Sequence, residues 1–314
     1  MERETLFEIK ALYRDDFRIT GFTFGSGEPA VCVVGSMRGN ENQQLFACSS
    51  LIRRLTELEK SGRIVPDKKI LVIPCANPYS MNIKKRFWSI DNTDINRMFP
   101  GYDQGETTQR IAAGLFEAVR GYRYGIQFAS FYMPGAFVPH VRMMKTGYEN
   151  VELARRFGLP YVVLHTPRPF DTTTLNYNWQ IWETNAFSIY TTNTARVDKA
   201  SAKQAVDAIL NFMADQGVIR YQGCGGYRSR VIESEDFVPV RAENAGFFDA
   251  YVEPGEEVAR GQLLARIWDP YLGVELSALH APVHGTVAFV HDEDMTYEST
   301  AVLKLIRAPA WNDL

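Results

Sequence analysis

Short apolar runs alternate with stretches of helical spacing along the first two-thirds of the chain. Five apolar runs predict strands, at 30–35, 69–75, 124–130, 161–165 and 186–191. Four stretches in which apolar residues recur every three or four positions predict helices, at 41–60, 107–120, 149–157 and 198–214. Because the strands are apolar on both faces and are separated by helices, the pattern indicates an α/β fold with a parallel or mixed sheet covered by helices.

The pattern changes near residue 220. A glycine-rich stretch, Gly223–Gly226, interrupts regular structure, and the segments after it are short, alternating and separated by turn residues. This texture predicts an all-β module. We place the boundary at about 220, which divides the chain into an α/β domain of residues 1–220 and a C-terminal module of residues 221–314.

The composition is that of a globular protein: 46% of the 314 residues are hydrophobic and 23% are charged. Lys and Arg total 34 against 37 Asp and Glu, a net charge of −3. Because surfaces that bind nucleic acid or anionic membranes carry a basic excess, we expect neither partner. No apolar run approaches the ~20 residues that span a bilayer, and the charged N-terminus lacks a signal-peptide core, so we expect a cytoplasmic protein.

Cysteine usage agrees with a reducing compartment. The four cysteines, Cys32, Cys48, Cys75 and Cys224, are widely spaced, contain no CxxC pair and do not match a zinc ribbon. We interpret them as reduced thiols used as small hydrophobic residues.

Two polar segments stand at predicted strand ends, where open α/β sheets place their ligands. The first, Gly35–Glu41 (GSMRGNE), lies between a predicted strand and a predicted helix. The second is Arg86–Gly101 (RFWSIDNTDINRMFPG). Together they resemble the succinylglutamate desuccinylase/aspartoacylase family of zinc hydrolases, relatives of the zinc carboxypeptidases. The part from Asp91 to Gly101 carries the resemblance most specifically, since it matches the family pattern at almost every position.

The resemblance implies a zinc-carboxypeptidase-like mixed sheet flanked by helices, followed by a smaller β-rich C-terminal domain. It also implies hydrolysis of the amide bond of an N-acyl amino acid. In the family, zinc is held by the His and Glu of a Gly-x-x-His-Gly-x-Glu turn and by the His of a strand that ends in Asp-Leu-His. A Glu on a later strand is the general base.

Two of the three implied zinc ligands are replaced in this chain. Glu41 matches the second ligand, but Arg38 stands at the first His position and Ala129 at the third. Tyr190 stands at the general-base position, and Glu183 is the nearest acid on that segment. A catalytic zinc needs three protein ligands, so these replacements favour the loss of zinc chemistry. Arg38 is a permanent cation three residues from Glu41, and we expect the two to form an ion pair or to bind an anion.

The positions that contact substrate in the family are better preserved. The resemblance implies that Arg86, Asn96 and Arg97 hold the ligand carboxylate and polarise its carbonyl group. The alternative is that Asn96 and Arg97 only tie down their own loop through Asp91 and Asp94. With Arg38 nearby, the cations predict a small anionic or carboxylate ligand.

The histidines offer the remaining ways to rebuild a metal site. His140 follows Phe137–Pro139 on a predicted loop, and His165 ends a predicted strand. Either could act with Glu41 and Glu183 as a substitute ligand, although structural roles are favoured. We expect no metal site among His280, His284 and His291.

The C-terminal module resembles the lipoyl/biotinyl-type (barrel-sandwich-like) β fold. No lysine occurs between Lys203 and Lys304, so we expect no covalently attached lipoate or biotin. The module is expected to wall one side of a cleft or to mediate contact in a homo-oligomer.

Three functions stay open at this point. The first is a zinc-dependent deacylase, as the family implies. The second is a non-catalytic descendant that binds a small carboxylate through its arginines. The third is a structural or regulatory protein without a small ligand. Whether this chain is an enzyme is therefore undecided from its sequence, and so are the acyl group and the oligomeric state.

Overall fold

A computed structural model of the chain describes residues 1–12, 15–223 and 225–308. The chain forms two compact units. The first comprises Met1–Ser130 and Pro139–Val231, and the second comprises Phe131–Val138 and the chain from Ile232 onward. The sequence analysis placed one boundary at about 220 and assigned no earlier segment to the C-terminal part.

The strands are, in chain order, β1 (Glu2–Ile9), β2 (Phe17–Phe24), β3 (Gly27–Ser36), β4 (Asp67–Cys75), β5 (Tyr124–Ala129), β6 (Ala136–Phe137), β7 (His140–Met144), β8 (Tyr161–His165), β9 (Asn185–Tyr190), β10 (Arg230–Glu233), β11 (Phe237–Arg241), β12 (Gly246–Ala250), β13 (Glu257–Val258), β14 (Leu263–Trp268), β15 (Glu275–His280), β16 (Gly285–Val290), β17 (Met295–Thr296) and β18 (Ala301–Arg307). The α-helices are α1 (Asn42–Lys60), α2 (Pro78–Asn82), α3 (Thr107–Val119), α4 (Val151–Arg155), α5 (Leu175–Ile181) and α6 (Lys199–Asp215). All nine elements predicted from periodicity in the first two-thirds are present.

A mixed sheet organises the first unit, with strand order β1-β2-β4-β3-β5-β9-β7-β8-β10. Strands β4, β3, β5 and β9 are parallel neighbours, whereas β7 runs antiparallel to β9. The last seven residues of β3 are buried, because neighbours on both sides and helices on both faces cover this strand. Parallel strands end at one edge, so the carboxyl ends of β3, β5 and β9 lie together.

Each face of this sheet has its own apolar core. Side chains of α1, α4 and α6 pack on one face with Ile126 and Phe128 of β5. Side chains of α3 and α5 pack on the other face, together with Ile95 and Phe99 of the polar loop. The loop from Arg86 to Gly101 is thereby fixed against the sheet edge at which β3, β5 and β9 end.

The described part of the second unit is built from strands in two small sheets. One sheet has the order β11-β18-β16-β13, with β6 also paired to β16, and the other has the order β15-β14-β12-β17. The longest helical segment described between 232 and 308 is a single 3-10 turn, Ser234–Asp236. An all-β C-terminal module is therefore what the structure describes, and its likeness to the lipoyl fold stays a prediction.

Helix length and composition also bear on membrane insertion. Among the residues that the structure describes, no helix is both long enough and apolar enough to cross a bilayer.

Two of the cysteines, Cys32 and Cys48, are buried as free thiols, as predicted, and burial raises the pKa of each. Cys75 is a free thiol that is only partly buried. Cys224 lies outside the described residues.

Candidate functional site

Several of the predicted site residues lie where β3, β5 and β9 end, whereas His165 and Glu183 do not. Ala129, the last residue of β5, pairs in register with Tyr190, the last residue of β9. Tyr190 pairs on its other side with His140, the first residue of the antiparallel strand β7. The side chains of these three residues therefore lie side by side on one face of the sheet, because paired residues share a face.

Glu41 is buried and its carboxylate is fully engaged. It ends the turn after β3 and is 0% exposed. Its Oε2 accepts hydrogen bonds from the backbone N–H groups of Met37 (2.8 Å) and Arg38 (3.0 Å). Its Oε1 accepts from Arg38 Nη1 (3.2 Å) and from Ser130 Oγ (2.5 Å). Four donors thus satisfy both oxygens from within the chain.

Arg38 bridges two carboxylates and is itself only 7% exposed. Its Nε and Nη2 donate to Asp94 Oδ2 at 3.1 and 2.8 Å, while Nη1 faces Glu41. The predicted Arg38–Glu41 ion pair is confirmed, and Asp94 is a second partner that the sequence analysis did not foresee. Burial lowers the pKa of Arg38, but the charges of Glu41 and Asp94 outweigh it and raise that pKa further above its usual range.

The three positions that the resemblance assigns to zinc ligands carry Arg38, Glu41 and Ala129, and of these three only Glu41 has a side chain that commonly binds zinc. Hydrogen-bond donors within the chain already occupy both carboxylate oxygens of Glu41. The Arg38 guanidinium occupies the space next to it, and Ala129 has no side-chain donor atom. Across the described residues, no group of three His, Cys, Asp or Glu side chains is arranged to hold a metal ion. A catalytic zinc would need three such ligands and an open position.

His140 lies in the site but not on the predicted loop. It opens strand β7, is buried, and stacks on the Tyr190 ring with centroids 4.7 Å apart and an interplanar angle of 5°. The loop assignment was wrong because Pro134 and Pro139 precede this strand and read as loop residues. Tyr190 also accepts a hydrogen bond from Arg142 Nη1 at 3.5 Å.

His165 lies at the other end of its strand pair. It pairs with Met144, four residues along β7 from His140, a separation of roughly 13 Å at the usual strand rise. His165 Nε2 is 3.0 Å from Asp171 Oδ2. Burial lowers the pKa of His165, the positive charge of Arg142 lowers it further, and Asp171 acts in the opposite direction. His165 is thus engaged by Asp171, and among the described residues it is not part of a group of three side chains that could hold a metal ion.

Glu183 is placed far from Tyr190, so its assignment to the catalytic position is wrong. It is exposed and follows α5, two residues before β9 begins. Five residues separate Asn185 from Tyr190 along β9, roughly 16 Å of extended chain. Proximity in sequence misled here because a strand carries its two ends to opposite edges of the sheet.

Two of the predicted substrate residues have definite partners. Asn96 Oδ1 accepts from Gln127 Nε2 of β5 and from the backbone N–H of Leu175, both at 3.3 Å. Arg97 Nη1 donates to the carbonyl of Phe170 (2.9 Å) and lies 3.4 Å from Asp171 Oδ1. The Arg97 guanidinium therefore binds the 170–171 turn and keeps 35% of its surface exposed. The backbone N–H groups of Asn96 and Arg97 donate to Asp94 Oδ1 (3.0 Å) and to the Asp94 carbonyl (2.9 Å), so both residues also tie down their own loop.

Arg86 contacts the turn that carries Arg38 through its backbone carbonyl. Its carbonyl accepts a hydrogen bond from Gly39 N–H at 3.1 Å, which joins the polar loop to the turn that carries Arg38. The Arg86 guanidinium lies 5.6 Å from the centroid of the Phe87 ring. Only a glycine fits at position 39, because a Cβ there would meet Ser80 and Lys85 backbone atoms at 2.2 to 2.3 Å.

The sequence analysis missed the functions of Asp94, Ser130, Gln127, Arg142 and Asp171. Asp94 and Ser130 offered a signal, since each lies next to a motif residue, but their partner Arg38 is 56 and 92 residues away. Arg142 and Asp171 belong to no motif. Asp171 is a buried acid whose pKa burial would raise, but the N–H of Arg168 and then His165 hold it below its usual value.

Comparison with known proteins places this geometry in a family. Residues 28–215 match the model of the succinylglutamate desuccinylase/aspartoacylase catalytic domain. An N-alpha-acetyl-L-2,4-diaminobutyric acid deacetylase of Halomonas elongata is 22% identical over 259 residues, which cover 77% of this chain and 71% of that protein.

Two solved structures share the fold. A succinylglutamate desuccinylase from Silicibacter sp. is 18% identical with a TM-score of 0.81, and the match covers 98% of this chain and 95% of that one. The product-bound ectoine utilization protein EutE (DoeB) of Ruegeria pomeroyi is 18% identical with a TM-score of 0.78, over 93% and 90% of the two chains. Since the matched domain spans more than half of the sequence, this chain belongs to the succinylglutamate desuccinylase/aspartoacylase family.

Proposed function

We propose that this chain binds a small carboxylate of the N-acyl amino acid type and does not hydrolyse it by zinc chemistry. The observation that carries the proposal is the position of the Arg38 guanidinium, which is buried between Glu41 and Asp94. It neutralises the only matching zinc ligand and takes the place of the cation that the family's chemistry requires. Without that cation, no group at these positions lowers the pKa of a bound water toward ~7.

The ligand class follows from the family and from the cations that remain. The relative from Halomonas elongata is described as a deacetylase of N-alpha-acetyl-L-2,4-diaminobutyric acid, and the preserved Asn96 and Arg97 support an amino-acid-like ligand. The charge of Arg38 is already cancelled by two carboxylates, so it does not bind the ligand. Arg97 is the better candidate, because its contact with Asp171 is partly exposed and therefore weak.

A ligand carboxylate would bind Arg97 through two parallel N–H donors. Arg142 lies on the neighbouring strand β7 with its Nη1 at Tyr190, so it is a second cation for the same ligand. Asn96 Oδ1 accepts from Gln127 and Leu175, so its amide N–H₂ is the group that would donate to an acyl oxygen of the ligand. The stacked His140 and Tyr190 rings form a planar wall for the ligand.

The experiment combines elemental analysis with calorimetry on the purified full-length protein. We expect zinc far below one equivalent, binding of N-acetyl amino acids that is unchanged by a chelator, and no release of acetate. Arg97→Gln should weaken binding about tenfold, the loss of one charge-assisted hydrogen-bond pair. The matched control is Arg53→Gln, an exposed arginine on α1 that pairs with Glu57. One equivalent of zinc, lost together with hydrolysis on chelation, would establish the deacylase instead.

A second experiment tests directly whether Arg38 prevents zinc from binding. Arg38→His alone should acquire no stoichiometric zinc, because Ala129 still lacks a donor. Arg38→His combined with Ala129→His supplies the three-ligand set with Glu41 and should acquire about one equivalent. Adding Glu41→Gln to this pair is the control and should abolish uptake. Zinc bound by Arg38→His alone would mean that other side chains complete the site.

A further inference from the structure

A polar cavity lies in the first unit, away from the site described above. It has a volume of about 320 Å³ and is lined by Glu152, Arg155, Arg156, Tyr227, Arg228 and Ser229. Helix α4 and the residue after it form one wall, and the segment that leads into β10 forms the other. Three arginines thus line one small space.

The two walls are fixed to each other by backbone contacts. The N–H of Tyr227 donates to the carbonyl of Gly158 at 2.8 Å, and the buried Ser229 Oγ donates to the carbonyl of Leu159 at 2.6 Å. Gly226 packs so closely on Gly158 that a Cβ on it would lie 2.7 Å from the Gly158 Cα. Arg228 is therefore carried by an ordered backbone between two anchored residues.

The charges in the cavity are incompletely balanced. Arg155 Nη1 lies 3.3 Å from Glu152, and Arg156 Nη1 lies 3.7 Å from Asp215, both in exposed pairs. Within the described ranges, Arg228 has no acidic partner. Exposed pairs of this kind contribute only about 0–1 kcal/mol, so an anion can draw Arg155 and Arg156 toward itself at little cost.

We propose that this cavity binds the phosphoryl group of a small phosphate ester. Two or three converging guanidinium groups suit a dianion with several acceptor oxygens, since each group offers a planar pair of donors. The volume is at the lower end of the range for small-molecule sites. The exposed ring of Tyr227 borders the same space and supplies an apolar surface for the organic part of the ligand.

This site is separate from the Arg38 site. Ala154, Phe157 and Leu159, which carry the cavity, pack on the sheet face covered by α1 and α6. Ile95 and Leu175, which flank Asn96, pack on the opposite face. The inference therefore does not depend on the proposed carboxylate-binding function, and a ligand here would not compete for the Arg38 site.

Calorimetric titration of the full-length protein with inorganic phosphate and phenyl phosphate, at about 0.15 M salt, tests the proposal. We expect saturable binding of both, tighter for phenyl phosphate. Arg228→Gln and Arg156→Gln should each weaken it about tenfold. Arg3→Gln is the matched control, because Arg3 is also exposed but lies on β1, at the opposite edge of the sheet. Tyr227→Ala should remove the preference for phenyl phosphate.

Three results would overturn the proposal. The first is an absence of saturable phosphate binding. The second is equal binding by wild type, Arg228→Gln and Arg156→Gln. The third is tighter binding of a single-stranded oligonucleotide than of phenyl phosphate, lost in the same variants, which would make the cavity part of a nucleic-acid surface instead.

Discussion

At the scale of single residues, the cluster of Arg38, Glu41 and Asp94 dominates the site. Its charges are almost entirely removed from water, so each depends on its partners for stabilisation. Burying an ion pair contributes little by itself, but removing one member leaves the others as uncompensated buried charges. The cluster therefore makes the stability of the fold depend on Arg38.

Replacing Arg38 should destabilise the protein strongly. Arg38→Met removes the cation and leaves two carboxylates facing each other, so we expect a loss of about 3–5 kcal/mol in the free energy of unfolding. Urea unfolding followed by fluorescence measures it. Arg53→Met, in an exposed pair with Glu57, should cost less than about 1 kcal/mol. Equal effects of the two substitutions would show that the buried cluster contributes nothing to stability.

The pair of His165 and Asp171 should make stability depend on pH. The pKa of His165 is lowered on folding, so the unfolded chain takes up a proton near pH ~6.5 that the folded protein binds only at lower pH. Stability must therefore fall as the pH decreases through this range. The pKa of Asp171 is also lowered, so its contribution is present above about pH 3.9 and is lost on further acidification.

The measurement is the urea midpoint between about pH 7.5 and pH 5. His165→Gln keeps a donor for Asp171 but cannot titrate, so it should flatten this part of the profile. An unchanged slope in His165→Gln would assign the dependence to other groups.

Sequence reasoning at this scale succeeded for local pairs and failed for distant ones. The Arg38–Glu41 pair was predictable because three residues separate its members. Asp94 does bind its own loop, through the backbone N–H groups of Asn96 and Arg97, as the alternative interpretation held. Its ion pair with Arg38 was not predictable, since nothing in a sequence shows that a carboxylate 56 residues away faces the same guanidinium. The assignment of Glu183 failed for the reverse reason. Strand β9 lies between Glu183 and Tyr190, so the two residues lie at opposite edges of the sheet although only seven positions separate them.

At the scale of elements, close backbone contacts fix the polar loop of residues 86–101, and no hydrophobic periodicity within the loop predicts its position. Gly101 ends the loop with φ +91°, and a Cβ on it would lie 2.1 Å from Ala113 N of α3. The buried parallel strands were easily predicted because their runs are uniformly apolar. Strands β1 and β2 and helix α5 were missed, and β1 shows why: most of its residues are exposed or half-buried, so its apolar pattern is weak.

Gly101→Ala should therefore be far more damaging than Gly62→Ala. Both glycines have positive φ and both substitutions incur that strain, about 1–2 kcal/mol. Only Gly101 also meets a backbone, whereas nothing lies within 4 Å of a Cβ at Gly62. We expect Gly101→Ala to cost roughly 1–3 kcal/mol more in urea unfolding. Similar costs would mean that the loop can move away from α3 without loss.

At the scale of the whole molecule, the C-terminal unit includes a segment from the middle of the chain. Strand β6 pairs with β16, and the Phe137 ring lies 4.6 Å from the Phe289 ring. Val138 N–H donates to the carbonyl of Ala288 at 2.9 Å. Sequence periodicity could not predict that this segment belongs to the C-terminal unit. Strand β6 has only two residues, and its partners in β16 follow 152 and 154 positions later.

A fragment of residues 232–308 should consequently be less stable alone than with that segment. Without residues 131–138, the Phe289 ring is uncovered, and a side chain of this size contributes about 1.5–3 kcal/mol when buried. A synthetic peptide of residues 129–140 should raise the urea midpoint of the fragment, followed by the fluorescence of Trp268. The same peptide with Phe137→Ala is the control and should have little effect. Equal midpoints with and without the peptide would show that β6 is dispensable.

The Arg38 cluster also determines which evolutionary steps are open to this chain. A zinc site at these positions would require changes at positions 38 and 129, and either order passes through a weakened intermediate. Arg38→His first leaves Glu41 and Asp94 without their cation, while Ala129→His first sets an imidazole beside a guanidinium that repels its metal. Because the two changes are favourable only together, selection on single mutations opposes both.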